Sequence, residues 1–125
     1  MNKFKSMAAA CALGILLTSG ASAIAGEADV TNVTVRKSSN GQFNFNVTIR
    51  SNDKGWNYYV DSFEVLSPDG KVLVTHKLLH PHDDEQPFTR DTGNVNIPSG
   101  IKKVVVRAHI KPAGYSGATF PVDLP

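Results

Sequence analysis

The chain has 125 residues, of which 41% are hydrophobic and 19% are charged. Two of its 13 basic residues, Lys3 and Lys5, lie in an N-terminal segment that we expect to be removed, which leaves 11 basic against 11 acidic residues. A mature chain without net charge has no general electrostatic reason to bind nucleic acid or anionic lipid, so we expect neither as a partner.

The first 23 residues have the pattern of a secretory signal peptide. A lysine-containing start is followed by an apolar stretch from Met7 to Leu17 and then by the small-residue triplet Ala21-Ser22-Ala23. The apolar stretch is shorter than the roughly 20 residues that a membrane-spanning helix needs. We therefore predict export to the periplasm, with cleavage after Ala23 or after Ala25. Cleavage after Ala23 leaves residues 24–125, a length that suits one domain.

The single cysteine, Cys11, lies inside the apolar stretch. A cysteine that receives a lipid should follow such a stretch, so we expect the mature chain to have no membrane anchor. Removal of the signal peptide also removes this cysteine. The mature domain is therefore expected to fold in an oxidising compartment without disulfides.

Extended segments alternate with turn signals along the whole mature chain. Residues 43–50 show the strictest alternation, with four apolar residues that should face a core: Phe43, Phe45, Val47 and Ile49. Strong turn signals occur at Asn40-Gly41 and at Ser67-Pro68-Asp69-Gly70. The predicted strands cover residues 33–36, 43–50, 56–66, 71–79, 88–97, 103–110 and 118–124.

Seven short strands separated by turns predict an all-β fold, a seven-stranded antiparallel sandwich of immunoglobulin or fibronectin-III type. Trp56 lies about where such folds often bury an aromatic side chain. Trp56, Tyr58 and Tyr59 could instead form a stacking surface for a sugar or a peptide. Core packing is the interpretation that we favour for these aromatic residues.

One segment between the predicted strands combines two histidines, three carboxylates and two prolines. Its sequence is His80-Pro81-His82-Asp83-Asp84-Glu85-Gln86-Pro87-Phe88-Thr89-Arg90. In an extended chain, the side chains of residues i and i+2 point the same way, so His80 and His82 could coordinate the same metal ion. Imidazole with carboxylate suits copper or zinc. The acidic neighbours should also raise the pKa of both histidines.

A metal site needs three or four ligands, and two histidines do not complete one. Asp84 and Glu85 are the weaker candidates for a further ligand, and otherwise His76 or His109 would have to reach the same place. The simpler interpretation, which we favour, is a solvated polar loop that caps one end of the sandwich. Glu85 and Arg90 would then pair with each other.

Three motifs together resemble a family of small proteobacterial periplasmic proteins. The motifs are Gly55-Trp56-Asn57-Tyr58-Tyr59, then Glu64-Val65-Leu66-Ser67-Pro68-Asp69-Gly70, then His80-Pro81-His82 with Glu85-Gln86-Pro87-Phe88-Thr89-Arg90. The resemblance covers most of the mature chain, and its sharpest motif is the segment from His80 to Arg90. It implies export to the periplasm and a single sandwich domain, and it implies no activity and no catalytic residue.

Three functions remain open at this stage. The first is a non-enzymatic periplasmic binding or accessory module, with Trp56, Tyr58, Glu85 and Arg90 as binding residues and a periplasmic protein as its partner. The second is a periplasmic protein that binds copper or zinc through His80 and His82. A small hydrolase ranks last, because about 100 residues of sandwich leave little room for a pocket. We expect the chain to be a monomer in each case.

Overall fold

The computed structural model describes residues 26–125. The predicted signal peptide and both of its cleavage positions lie outside these residues. The described part of the chain contains seven strands and no helix, so it also contains no helix that could cross a membrane.

All seven predicted strands are present, and most differ from the prediction only slightly at their ends; the first begins at Ala28, five residues before the predicted start. The strands are β1 (Ala28–Lys37), β2 (Phe43–Ser51), β3 (Tyr59–Leu66), β4 (Val72–Lys77), β5 (Phe88–Val95), β6 (Lys103–Lys111) and β7 (Phe120–Asp123). Strand β3 begins three residues later than the sequence indicates. The reason is a turn, in which the Tyr58 amide donates to the Gly55 carbonyl at 3.2 Å.

The strands form two antiparallel sheets that pack as a sandwich. One sheet has three strands in the order β1-β2-β5, and the other has four in the order β4-β3-β6-β7. The two tightest predicted turns are confirmed, because Gly41 and Gly70 adopt φ values of 85° and 89°. Such left-handed conformations are readily available only to glycine.

The alternation in β2 determines which face of the three-stranded sheet enters the core. Phe45, Val47 and Ile49 have no exposed surface, and Phe43 is 8% exposed. These side chains pack against buried residues of β3 and β6, among them Phe63 and Val106. Burying one such side chain stabilises the folded state by roughly 1.5–3 kcal/mol relative to leaving it in water. The predicted core face of β2 is therefore confirmed.

The start of β1 is held by a close approach of two backbone segments. The amide of Ala28 donates to the Ser116 carbonyl, and that of Val30 donates to the Ala118 carbonyl, both at 2.9 Å. A Cβ on Gly117 would lie 1.7 Å from the Ala28 carbonyl oxygen. Only glycine at position 117 lets these segments meet.

The expected burial of Trp56 was wrong, because 62% of this residue is exposed. Trp56 lies in the turn before β3, where the chain has not yet entered the sheet. The aromatic side chain that β3 does bury is Phe63, which has no exposed surface. A tryptophan at the corner of a turn is not fixed to either face by strand alternation.

Candidate functional site

The segment from His80 to Arg90, called the His80-to-Arg90 loop below, closes one end of the sandwich. It follows β4, and its last three residues begin β5. It lies against the turn that joins β2 to β3, where the Asp83 carboxylate accepts a hydrogen bond from the Gly55 amide at 2.9 Å. The predicted capping position of the loop therefore has a specific partner on the neighbouring turn.

Asp53 is a buried carboxylate that ties the loop to the two strands beside it. Its Oδ1 accepts hydrogen bonds from the Ser51 hydroxyl at 2.6 Å and from the Val60 amide at 3.1 Å. Its Oδ2 accepts one from the His82 amide at 2.9 Å. One side chain thus fixes the end of β2, the start of β3 and the middle of the loop.

Gln86 makes a second attachment between the loop and β2. Its Oε1 accepts a hydrogen bond from the Ser51 amide at 2.8 Å. Its Nε2 donates to the Ser51 hydroxyl at 3.0 Å and to the His82 carbonyl at 3.1 Å. A typical hydrogen bond adds about 1 kcal/mol to stability, so this set tethers the loop to β2.

The His82 ring is buried and has no polar partner. The residue is 4% exposed, and its ring stacks on Phe88 with a centroid distance of 3.9 Å and an angle of 9°. Within residues 26–125, neither ring nitrogen forms a hydrogen bond. The nearest charge is Asp53, whose Oδ2 lies 3.8 Å from Nδ1. Such unpaired buried groups are rare in folded proteins.

Burial lowers the pKa of His82 below its ordinary value, and the positive charges of Arg90 and His80 lower it further. Asp53 and Glu85 act in the opposite direction and do not outweigh these effects. The expectation that the acidic neighbours raise the pKa of both histidines was therefore wrong for His82. Loss of hydration disfavours the charged imidazole more than the carboxylates favour it.

The His80 ring is exposed and lies beside that of His82. The two ring centroids are 4.7 Å apart, which confirms that the imidazoles stand together. Nδ1 of His80 donates to the Pro81 carbonyl at 2.9 Å. This bond assigns the proton to Nδ1, because a carbonyl oxygen only accepts, and it leaves Nε2 as the available donor atom for a ligand.

The carboxylates of the loop do not converge on the two histidines. Asp84 is exposed and makes no hydrogen bond or ion pair within the described residues. Glu85 pairs with Arg90 at 2.9 Å, as predicted, and the hydrogen bond from Arg90 is the main cause that lowers the Glu85 pKa. Because 56% of the Glu85 side chain and 33% of the Arg90 side chain are exposed, water screens this pair and its contribution to stability is small.

The other two histidines lie away from the loop. His109 hydrogen-bonds with Asp61 at 2.6 Å, and the His76 ring contacts Phe63 with centroids 4.9 Å apart. A shallow concavity of about 370 Å³ is lined by residues 80–85. In the part of the chain that the structure describes, no three side chains of His, Cys, Asp or Glu are placed to hold a metal ion together.

The two aromatic candidates have different environments. Trp56 presents most of its surface to solvent and meets Tyr59 edge to face, with centroids 5.6 Å apart. Tyr58 is half-buried, packs against the core and donates its hydroxyl to Glu27, a bond that raises the Tyr58 pKa. Of the two, Trp56 is the one available to a partner, whereas Tyr58 mainly supports the fold.

Sequence reasoning missed three residues of this end of the molecule. Leu79, directly before His80, is 81% exposed, whereas the sequence pattern placed it at the end of the predicted strand 71–79; β4 ends at Lys77. Asp53 and Gln86 were not singled out, because their roles depend on partners that are distant in sequence. An acidic residue two positions after the end of the alternating strand β2 was the available signal for Asp53.

Comparisons with known proteins give one similar curated chain. No family model and no solved structure matches. A protein of Halomicrobium mukohataei named "Putative lipoprotein" is 36% identical over 97 residues, which cover 78% of this chain and 47% of that protein. The chain thus spans about half the length of the curated relative it matches. Because the relative comes from a halophilic archaeon, the resemblance to a proteobacterial family was wrong.

The first prediction concerns Asp53. Asp53→Ala removes the acceptor of three buried donors, each worth roughly 1–3 kcal/mol, so the free energy of unfolding should fall by at least about 3 kcal/mol. Asp84→Ala is the matched control, since it removes an exposed carboxylate from the same loop and should change stability by about 0.5 kcal/mol or less. Urea unfolding measures both. Equal small effects would contradict the role of Asp53.

The second prediction concerns pH. The folded-state pKa of His82 lies below the unfolded value of about 6.5, so the unfolded chain binds the proton more tightly. The contribution of His82 to the free energy of unfolding should be complete above about pH 6.5. It should be lost as the pH drops from there through the folded-state pKa.

His82→Phe keeps the stack on Phe88 and removes this titration. When the pH is lowered from about 7.5 to about 5.5, the wild type should therefore lose more of its free energy of unfolding than His82→Phe does. His80→Phe is the control, and its stability should still fall with pH but by less than that of the wild type, because the His80 charge is one of the causes that lower the His82 pKa. Parallel pH profiles for the wild type and His82→Phe would reject the prediction.

Proposed function

We propose that the chain is a non-enzymatic binding module that works outside the cytoplasm. Its contact surface is the loop end, defined as the His80-to-Arg90 loop together with Trp56 and Leu79. The observation that carries this proposal is the exposure of two large apolar side chains, 62% for Trp56 and 81% for Leu79, next to a tethered polar loop. Trp56 follows Gly55, which bonds to Asp83, and Leu79 precedes His80.

The tethering of the loop supports a binding role. Asp53, Asp83 and Gln86 fix the loop before any partner arrives. A surface that is already ordered loses little conformational entropy on binding, so more of its contact energy contributes to affinity. Exposed tryptophan is also among the residues that most often anchor protein interfaces, and Glu85 and Arg90 would form the polar rim.

Location outside the cytoplasm is supported by the N-terminal pattern, from which we propose export to the periplasm. The name of the archaeal relative, a lipoprotein, points to export in the same way. We propose that this chain differs from a lipoprotein in carrying no lipid, because Cys11 lies within the apolar stretch and not after it.

We further propose that the sandwich is immunoglobulin-like. In immunoglobulin domains the second strand lies beside the fifth, and the third lies beside the sixth, and both pairings occur here. One strand is placed differently from a constant domain, since β4 lies beside β3 and not beside β5.

The third prediction tests the loop end. The wild type, Trp56→Ala/Leu79→Ala and Val72→Ala are each immobilised and exposed to periplasmic extract with a cross-linker. Val72 is the control, because it is also an exposed apolar residue, at 41%, but lies on β4. A partner held by the wild type and by Val72→Ala should fall at least about tenfold with the double variant. Identical partner sets for all three would contradict the proposal.

A second candidate function, binding of copper or zinc, is favoured by one observation. The imidazoles of His80 and His82 lie 4.7 Å apart, and both nitrogens of His82 lack a partner in the described chain. Neutral imidazole is a ligand that both metals accept. Asp84 and Glu85, on the rim of the same concavity, would supply an oxygen ligand only after a change in side-chain conformation.

The fourth prediction tests this candidate. Calorimetric titration of the tag-free mature protein with Cu(II) and Zn(II) should give tighter binding than a two-histidine peptide. His82→Phe should abolish most of the heat. Binding should weaken as the pH falls through the pKa of His82, which lies below its ordinary value, because protons compete for the nitrogens. His109→Phe is the control, since His109 is bonded to Asp61 elsewhere. A metal affinity equal to that of the two-histidine peptide would rule out copper or zinc binding as the function.

A further inference from the structure

The outer face of the three-stranded sheet carries amide side chains in place of the usual charges. Its four asparagines are Asn32 on β1, Asn44 and Asn46 on β2, and Asn94 on β5. They point away from the core, because their neighbours Val33, Phe45, Val47 and Val95 point into it. Strand pairing places Asn44 directly opposite Asn94.

Three threonines complete this surface, which we call the amide face and define as these four asparagines with Thr34, Thr48 and Thr89. Thr34 pairs with Asn46, and Thr48 pairs with Asn32 on one side and with Thr89 on the other. The Thr48 and Thr89 hydroxyls are 2.7 Å apart and hydrogen-bonded. Donors and acceptors thus repeat along and across three adjacent strands.

Charge is confined to the edges of the amide face. Arg36 on β1 pairs with Asn44, and Asp91 on β5 pairs with Asn46. Between them, the outward side chains of the central strand from Asn44 to Thr48 carry no charge. Arg50, which follows Thr48 on the outward side of β2, forms an ion pair with Asp29 on β1. Arg36 and Asp91 are of opposite sign, so this face of the sheet has no net charge.

Folding alone does not explain the four asparagines. Asparagine is depleted in strands, where β-branched and aromatic residues are favoured. Within residues 26–125, no side chain of these four residues donates or accepts a hydrogen bond, so they cap no turn and join no network. The carbonyl oxygen of Asn44 is even shielded from solvent without a donor. Positions that break a local folding rule without a structural gain are often functional.

The chemistry of the amide face fits one class of partner. A carboxamide offers two donors and one acceptor oxygen, and a sugar hydroxyl also donates and accepts. Outward groups repeat roughly every 6.6–6.8 Å along a strand and about every 4.8 Å between strands, which gives a flat grid without a cavity. A flat grid suits a repeating polymer better than a compact molecule. Because the grid has no net charge, it does not favour an anionic polymer.

We propose that the amide face binds a neutral polysaccharide. Asn46 and the side-chain nitrogen of Asn44, both on the central strand, make the principal hydrogen bonds. Asn32, Thr34 and Asn94 extend the contact to both sides. Each sugar contributes weakly, and affinity accumulates over several repeats of one chain. This surface shares only Thr89 with the loop end, and its principal residues lie on β2. The proposal therefore stands independently of the binding function proposed above.

The experiment uses the full mature protein and a panel of cellulose, chitin, mannan, starch and laminarin. Retention is measured by sedimentation with the insoluble polymers and by affinity electrophoresis with the soluble ones. We expect retention by at least one polymer and little change at high salt, because no ion pair is involved. Failure of the whole panel, or retention only by an anionic polymer such as alginate, would overturn the proposal.

Variants assign the binding to the amides. Asn44→Thr/Asn46→Thr should lower affinity at least about tenfold, the loss of roughly two hydrogen-bonded amides. Its thermal midpoint should stay equal or rise, since threonine is the better strand former. If the double variant folds poorly, Asn46→Thr alone can be compared with the wild type, and its loss of polysaccharide affinity should be smaller.

Two controls complete the design. Ser62→Ala/Thr75→Ala removes outward hydroxyls from the other sheet and should bind like the wild type. Trp56→Ala/Leu79→Ala should also keep its polysaccharide affinity, which separates this proposal from the function of the loop end. Wild-type affinity in the double asparagine variant, or loss only in the Trp56/Leu79 variant, would refute the amide face as the site.

Discussion

The buried carboxylate of Asp53 is the interaction on which the loop end depends. A carboxylate without solvent is unfavourable unless its oxygens are hydrogen-bonded, and Asp53 meets this condition with donors from Ser51, Val60 and His82. These donors belong to β2, β3 and the loop, so satisfying one charge fixes three segments together. The exposed position of Trp56 follows, since the turn that carries it is held between Asp53 and β3.

Two features of the molecule depart from what folding alone favours. The His82 ring fills its site as an apolar ring would, yet it brings two nitrogens that the described chain leaves unpaired. The asparagines of the amide face occupy strand positions that threonine or valine would fill better. The core of β2, in contrast, obeys the alternation rule at every position. The departures therefore lie on the two surfaces for which binding is proposed.

The sequence predicted what depends on near neighbours and missed what depends on distant ones. Alternation of Phe45, Val47 and Ile49 is a local pattern, and it correctly located the core face. The bond between Asp53 and His82 joins residues 29 positions apart, and no local pattern encodes it. The pKa of His82 was predicted in the wrong direction for the same reason. Adjacent carboxylates are visible in the sequence, whereas burial against Phe88 is a property of the fold.

The outer faces of the two sheets show why one of them is available to a ligand. On the four-stranded sheet, Arg107 pairs with Glu64 at 2.8 Å and lies 3.7 Å from the centre of the Tyr115 ring. Tyr115 in turn donates its hydroxyl to Glu64 at 3.2 Å. Polar groups there satisfy one another, and a ligand would have to break those contacts to bind. The side chains of the asparagines on the three-stranded sheet have no such partners in the described chain, so a ligand that reaches their solvent-facing atoms displaces only water. Free hydrogen-bonding capacity, and not polarity itself, therefore distinguishes the face proposed to bind polysaccharide.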